Sequence, residues 1–470
     1  MTKVQQARDT SLQWHIKNPT LLSGEIGYET DTNRFKLGNG ETEWNNLSYL
    51  NPFIVNNSSV YSINSVVDIN NKSSINNSYV IGKNINVKLS SLNSAVILGD
   101  YINYGNGSGN LSDSYIIGKN VNVSYTQTYG TVNGIYAIGK NINIGGQFGF
   151  HSIFAFGNSI DFKWSDRAIA IGDTIDVTSQ SNNIVTLGYN IDTGGNSIVI
   201  GTNINAGANS IAIGSSVIAK SEGIAIGTGS YSESNSISIY GSANTVNAVS
   251  IGYATTVNGI NSIVVGVNSY VHSANSTIIG HNSSADNNND NITIIGSDNY
   301  MWSNAKNTCI LGTKSSIGSA NNATVIGMWS NVGSNSNYSM VLGTLSNIYD
   351  NTDCSVALGY QLRVNSNNQV VLGKFNQVDN EDKYAYILGG GNNTSNRKNL
   401  QTIDHNGNAY FDGNIRINSS SSITNTNDLV TKFYVDTAIN NAVSEIGIDV
   451  SFDSGSIFDR FELDVVADNS

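Results

Sequence analysis

The stretch SIAIGSSVIAKSEGIAIGTGSYSESNSISIY, residues 210–240, decides the fold. It holds three short apolar runs, at 211–213, 224–226 and 237–239, closed by Gly214, Gly227 and Tyr240 at an interval of 13 residues. Reading outward, the same run ends at Gly82, Gly99, Gly118, Gly139, Gly157, Gly172, Gly188 and Gly201 on one side. On the other it ends at Gly252, Gly266, Gly280, Gly296, Gly312, Gly327, Gly343, Gly359, Gly373 and Gly389, making 21 copies with a mean spacing of about 15 residues. A unit that short buries no core of its own; stacked copies do so as coils of a β-solenoid.

The residue before each closing position is Ile, Leu, Val or Phe in every copy, so that face reads as strict core. The residue one earlier is also small or apolar, where a wet face would make it polar. A strand apolar on both faces is buried on both. One narrow roll has one interior, so the second face, with Ala170, Val199, Ala212, Ala225 and Val264, is expected to pack on another chain. A weaker strand follows each Gly. Its third position turns from apolar (Ile85, Val121, Ile142, Ile175) to hydroxyl (Ser269, Ser283, Ser315, Ser330, Ser346) beyond Gly227, which predicts a core that narrows along the length.

Composition agrees with a long ladder. Only 12% of the 470 residues are charged, against about 25% in ordinary soluble proteins. The polar surface is carried by 72 Asn and 62 Ser beside 47 Gly, and Asn-rich connections suit left-handed turns and stacked amides. Pro19 and Pro52 are the only prolines, which leaves the later backbone free to hydrogen-bond throughout. A net charge of -12 argues against a nucleic-acid groove. No apolar segment reaches 18 residues and the N-terminus is polar, so neither a membrane span nor secretion by the usual routes is expected. Cys309 and Cys354 lack metal-ligand spacing and read as free thiols.

The repeat resembles the head repeats of trimeric autotransporter adhesins, left-handed β-rolls in which three chains pack side by side; the likeness covers about residues 79–389. Neither a secretion signal nor a membrane-anchor barrel is evident, so a cell-surface adhesin is the disfavoured alternative. At the N-terminus, LLSGEIGYETDTNRFKLGNGETEWNNL has two short strands (Glu25 to Tyr28, Arg34 to Leu37) and an Asn39-Gly40 turn, a compact β-module. It resembles the N-terminal module of bacteriophage fibre and receptor-binding proteins, which implies attachment to the virion around Leu21, Leu22, Ile26, Tyr28, Phe35 and Trp44. Near the C-terminus, NDLVTKFYVDTAINNAV resembles the neck of phage fibres. Val435, Ile439, Ala442 and Ile446 are spaced 4, 3, 4, the seam of a short parallel trimeric coil. The last 24 residues carry six acids against Arg460 and read either as a cap or as a docking segment.

Catalytic signatures are missing from the sequence. The five histidines are scattered, with no HExxH, no Ser/His/Asp signature and no phosphate loop. A glycan-degrading tail spike, which requires paired carboxylates in a cleft, is the second alternative. Aromatics set among amides, namely Tyr101, Tyr104, Tyr125, Tyr129, Trp164, Trp302 and Trp329, are candidates either for packing between chains or for stacking on host-surface glycan.

The expected fold is all-β: a homotrimeric left-handed parallel β-roll (β-solenoid) shaft with a small N-terminal β-module and a short C-terminal trimeric coiled coil. The expected organisation is a virion-attachment module at 1–52, a transition at 53–78, the roll at 79–392, a neck and coil at 393–447, and an acidic segment at 448–470. The expected function is that of a non-enzymatic bacteriophage fibre, a stiff spacer and adhesin made in the host cytoplasm and carried on the virion. It needs no cofactor or metal. Its expected partners are two further copies of itself, other virion proteins at the base and at the far end, and a host-surface glycan, with no nucleic acid or membrane.

Overall fold

The computed structural model describes residues 6–50, 53–56, 59–62, 75–81, 86–87, 91–98, 103–104, 110–119, 122–123, 131–144, 151–162, 165–177, 181–415 and 432–446. It is an all-β solenoid of about 19 turns with two short helices, Ser11–Lys17 and Lys432–Ile446. Gly82 and Gly99, which close the first two copies of the repeat, lie outside the described residues, as does the acidic segment 448–470.

Each coil pairs in parallel, residue for residue, with the next. The middle residues of the Gly-closed strands form one column, Val199, Ala212, Ala225, Ser238, Ser250, Val264, Ile278 and onward to Ile387, and every one is fully buried. Facing it, the second residues of the shorter strands form another buried column from Ala219 to Val364. The N-terminal coils carry a third short strand as well, the column running through Leu92, Leu111 and Val132, which accounts for their greater length.

This reverses the assignment of faces made from the sequence. Ala170, Val199, Ala212, Ala225 and Val264 line the interior of a single roll and reach no other chain. The Ile, Leu, Val or Phe before each Gly points outward instead: Phe156, Ile171, Ile200, Ile279, Leu342 and Leu358 are exposed. The reason is steric. A two-walled roll is thin, so the inward position admits residues as small as Ala or Ser, whereas the outward one has room for a branched chain. That both faces are apolar stands; inside and outside are exchanged.

The Gly-marked corner requires glycine twice over. At Gly172 the backbone takes φ +149°, and a Cβ placed there would lie 1.7 Å from the carbonyl oxygen of Gly188 in the next coil. Tyr240, the one departure from Gly, sits in the left-handed region at φ 57°. Many of the other corners are built from Asn. Asn247, Asn261 and Asn275 all have positive φ, and their amides stack, Asn247 donating to Asn261 at 3.0 Å and Asn261 to Asn275 at 3.3 Å. Repeated along the shaft, these ladders explain the surplus of Asn.

The hydroxyl after each later Gly is an internal brace. Ser283 Oγ donates to the carbonyl of Gly296 at 3.1 Å and accepts the N–H of Asn299 at 3.2 Å; Ser315, Ser330 and Ser346 repeat the pattern. Buried hydroxyls so placed contribute about 1 kcal/mol each. The core does not narrow steadily. It pinches at a waist near Ser232, Ser236 and Ser238, which separates one apolar cluster ending at Ala225 from a second beginning at Ala243. At the far end the parallel ladder stops because Tyr384–Gly390 pairs antiparallel with Asn399–Asp404, and that strand with Ala409–Phe411. Pairing of this kind covers the last edge.

The N-terminal module contains a helix that strand spacing did not announce. Thr10 caps Ser11–Lys17 by accepting the N–H of Gln13 at 3.3 Å, and Asn18, in the left-handed region before Pro19, ends it. Ala7–Asp9 pairs in parallel with Ile26–Glu29, which pairs antiparallel with Arg34–Leu37.

Candidate functional site

Two surfaces of the shaft differ in chemistry. Outward from the Gly-closed strands runs a stripe of large apolar side chains: Phe154, Phe156, Ile169, Ile198, Ile263, Ile295, Leu311 and Met340 among them, each roughly two-fifths exposed. Exposed apolar stripes of such length mark contact surfaces. Outward from the shorter strands, after Ile218 and Tyr231, the row is Ser242, Thr256, Tyr270, Ser284, Tyr300, Ser316, Asn331 and Asn347, polar except for two tyrosines, Tyr270 and Tyr300.

Around those tyrosines a cluster forms. Tyr270 and His272 pack with ring centroids 5.1 Å apart on one coil; Tyr300 and Trp302 meet edge-on at 5.0 Å two coils further along. Ser284 and Asp286 lie on the coil between them. Both phenols turn to Asp286, Tyr270 Oη donating to Oδ1 at 3.5 Å and Tyr300 Oη to Oδ2. The bond to Asp286 holds the Tyr300 phenol up at about 12. Round the corner from His272 a groove of about 510 Å³ is lined by Asn258, Asn288, Asn304 and the Asp290–Lys306 pair, whose charges are 3.8 Å apart.

Of the aromatics singled out in the sequence, Trp302 and Trp329 are about half exposed, Trp329 beneath Lys314, whose Nζ lies 4.6 Å from the ring centroid. Tyr101, Tyr125, Tyr129 and Trp164 lie outside the described residues, and so does the Tyr104 side chain. Tyr270, His272 and Asp286 escaped the sequence reading; the signal was an aromatic two coils from another in the same register.

In the N-terminal module, Trp14 stacks on Trp44 at 4.0 Å and 15° and donates from Nε1 to the carbonyl of Tyr28 at 2.9 Å. Trp44 and Leu21 are therefore core, not attachment surface. Leu22 is 74% exposed, and Ile26, Tyr28 and Phe35 are half-buried on one face of the hairpin, where Tyr28 pairs with Phe35 and Ile26 with Leu37. The helix adds exposed Leu12 and Ile16. Inside, the buried Glu29 carboxylate accepts Tyr49 Oη at 2.6 Å, Lys36 Nζ donates to the Trp44 carbonyl at 2.5 Å, and Arg34 lies 3.2 Å over the Tyr49 ring. Burial lowers the Lys36 ammonium, and burial together with the Glu29 contact pushes the Tyr49 phenol up to about 12.

At the other end, Val435 and Ala442 of the helix Lys432–Ile446 are exposed and Ile439 is half-exposed, while the side chain of Ile446 lies outside the described residues. Among the described residues no group of three or more His, Cys, Asp or Glu is placed to hold a metal ion, and no helix is long and apolar enough to cross a membrane.

A solenoid shaft with a small tryptophan-stacked module at its N-terminal end has the build of a fibre. Residues 4–42 match the family described as the major tropism determinant N-terminal domain, from a phage tail-fibre and receptor-binding protein. That match points to a phage tropism or receptor-binding fibre and suggests a virion component. No curated protein matches the chain.

Proposed function

We propose that the chain is a homotrimeric virion fibre in which residues 1–52 form the base, the left-handed roll is a stiff spacer, and the helix Lys432–Ile446 sets three chains in register. The observation that carries this reading is the apolar outward stripe, held in register from coil to coil. Three rolls laid side by side bury it, and no linker then bends between base and neck. The helix is too short to be stable alone, so it closes a trimer that the roll has already gathered.

The fibre acts by binding rather than by catalysis. Attachment to other virion proteins runs through Leu22, Ile26, Tyr28 and Phe35 at the base. Host contact lies away from it, with three copies on one rigid axis gaining avidity from effective concentration. Incubating fibreless virions with the full chain and with a chain lacking residues 1–52 tests the polarity. The full chain is expected to be incorporated and the truncated one to stay in solution; incorporation of the truncated chain would reverse it.

A further inference from the structure

We infer that the shaft itself carries a binding site for a neutral glycan, a trough across three coils walled by Tyr270 with His272 on one side and Tyr300 with Trp302 on the other. This rests on the fibre reading above, but not on its assignment of base and tip. The paired strands fix the geometry: Tyr270, Ser284 and Tyr300 are register partners on successive coils. Coils stack at the inter-strand spacing of about 4.8 Å, so the backbones that carry the two aromatic walls stand roughly 10 Å apart, and the phenol ends converge on Asp286. Between them the floor is polar. Ser284, in the outward register between the two tyrosines, is only 8% exposed, and the Asp286 carboxylate is held by both phenols.

Those are the elements that recognise a pyranose: ring faces for the apolar sugar faces, and an oriented carboxylate with hydroxyl and amide groups for the sugar hydroxyls. Trp302 is 55% exposed and braced edge-on by Tyr300. The amide-lined groove beyond His272 extends the surface to a second sugar unit. A neutral ligand fits better than an acidic one, since Asp286 forms the floor and the chain carries a net charge of -12. The row offers such a gap here because the tyrosines recur two coils apart with a small residue between them. Upstream, Tyr231 has no aromatic two coils away in this row, and downstream the row reads Ser316, Asn331, Asn347.

The test uses the full-length protein on an array of neutral tetrasaccharides built from glucose, galactose, mannose and N-acetylhexosamines. At least one is expected to bind at millimolar concentration or better. Trp302→Ala should lower that signal tenfold or more, and so should Ser284→Tyr, which fills the trough with a residue the flanking coils already accept in this register. Tyr189→Ala, which removes a comparably exposed aromatic far from the trough, should leave it unchanged, and sedimentation should show all three variants assembled like the wild type. No binding to any sugar, or binding untouched by Trp302→Ala and Ser284→Tyr, overturns the site. Virion incorporation separates this from the fibre reading: variants that are incorporated normally and still bind sugar sink the trough alone, whereas failure of the wild-type chain to enter virions sinks the fibre reading alone.

Discussion

The two sheets of the roll share one interior and have opposite exteriors. Inward, both columns are buried and mostly apolar, as in Ala225 against Ala219 and Val264 against Val257, with serine at the waist. Outward, the Gly-closed sheet presents Ile263, Ile279, Ile295 and Leu311, while the other presents Thr256, Ser284, Ser316 and Asn331. Folding a single coil requires only the inward pattern. On the proposed reading, the outward difference records what each face meets: other copies of the chain on one side, water and ligand on the other.

A matched pair of variants breaks this comparison if it is wrong. Ile279→Asp with Leu342→Asp on the apolar exterior should dissociate the assembly by placing six charges in the interfaces of a trimer, a loss of several kcal/mol. Ser242→Asp with Asn347→Asp on the polar exterior should change stability by no more than about 0.5 kcal/mol. Sedimentation velocity reads both. Equal behaviour of the two pairs removes the distinction between the faces.

Interior substitutions should act differently again. Ala212→Asp puts an unpaired charge in a fully buried column and should cost about 3 kcal/mol or more by opening the coil rather than by separating chains. Far-ultraviolet circular dichroism on heating distinguishes the two: strand signal is lost for Ala212→Asp and retained for the exterior pair. Retained strand signal with dissociation for Ala212→Asp would restore the opposite assignment of faces.

That assignment shows where sequence reading reached its limit. The period, the strands and the two apolar faces were legible because every coil repeats them, and the Asn ladders followed from turn chemistry. Which face was inside was not. The constant large apolar residue before Gly suggested core, but constancy of an apolar side chain does not distinguish a roll's interior from an apolar exterior. Size carried the information: Ala212, Ala225 and Ser238 in one register are small because the interior is thin. The helix Ser11–Lys17 had a cap at Thr10 and a stop at Asn18-Pro19, passed over in favour of the strands that follow. The cluster was hidden because Tyr270, Asp286 and Tyr300 meet only once the coil length is known.

Smaller effects sharpen the picture at the corners. Asn261→Ala removes one amide of the ladder and leaves an alanine at φ 55°, costing about 1 kcal/mol, whereas Asn261→Gly should lose only the amide contact. Thermal unfolding compares them, and Ala no worse than Gly would show that left-handed geometry is not what selects Asn.

The N-terminal module, apart from both faces, should respond most weakly. The folded Tyr49 phenol keeps its proton up to about 12, while the unfolded chain releases it near 10, so the module loses stability as pH rises from about 10 to 12. Lys36, held below 10.5, acts in the opposite sense: the unfolded chain binds the proton the folded one gives up, so stability rises as pH approaches 10.5. Fluorescence of the Trp14–Trp44 stack should therefore show a midpoint in denaturant that declines above about pH 10.5. Tyr49→Phe should abolish the decline, and an unchanged decline would locate it elsewhere.

The central claim is that the apolar exterior belongs between copies of this chain, and the solution mass of the full-length protein tests it most directly. Sedimentation equilibrium should give three times the chain mass of 50.1 kDa, independent of loading concentration in the micromolar range. A single species at 50.1 kDa would contradict the account, because the stripe from Phe154 to Val370 would then face water.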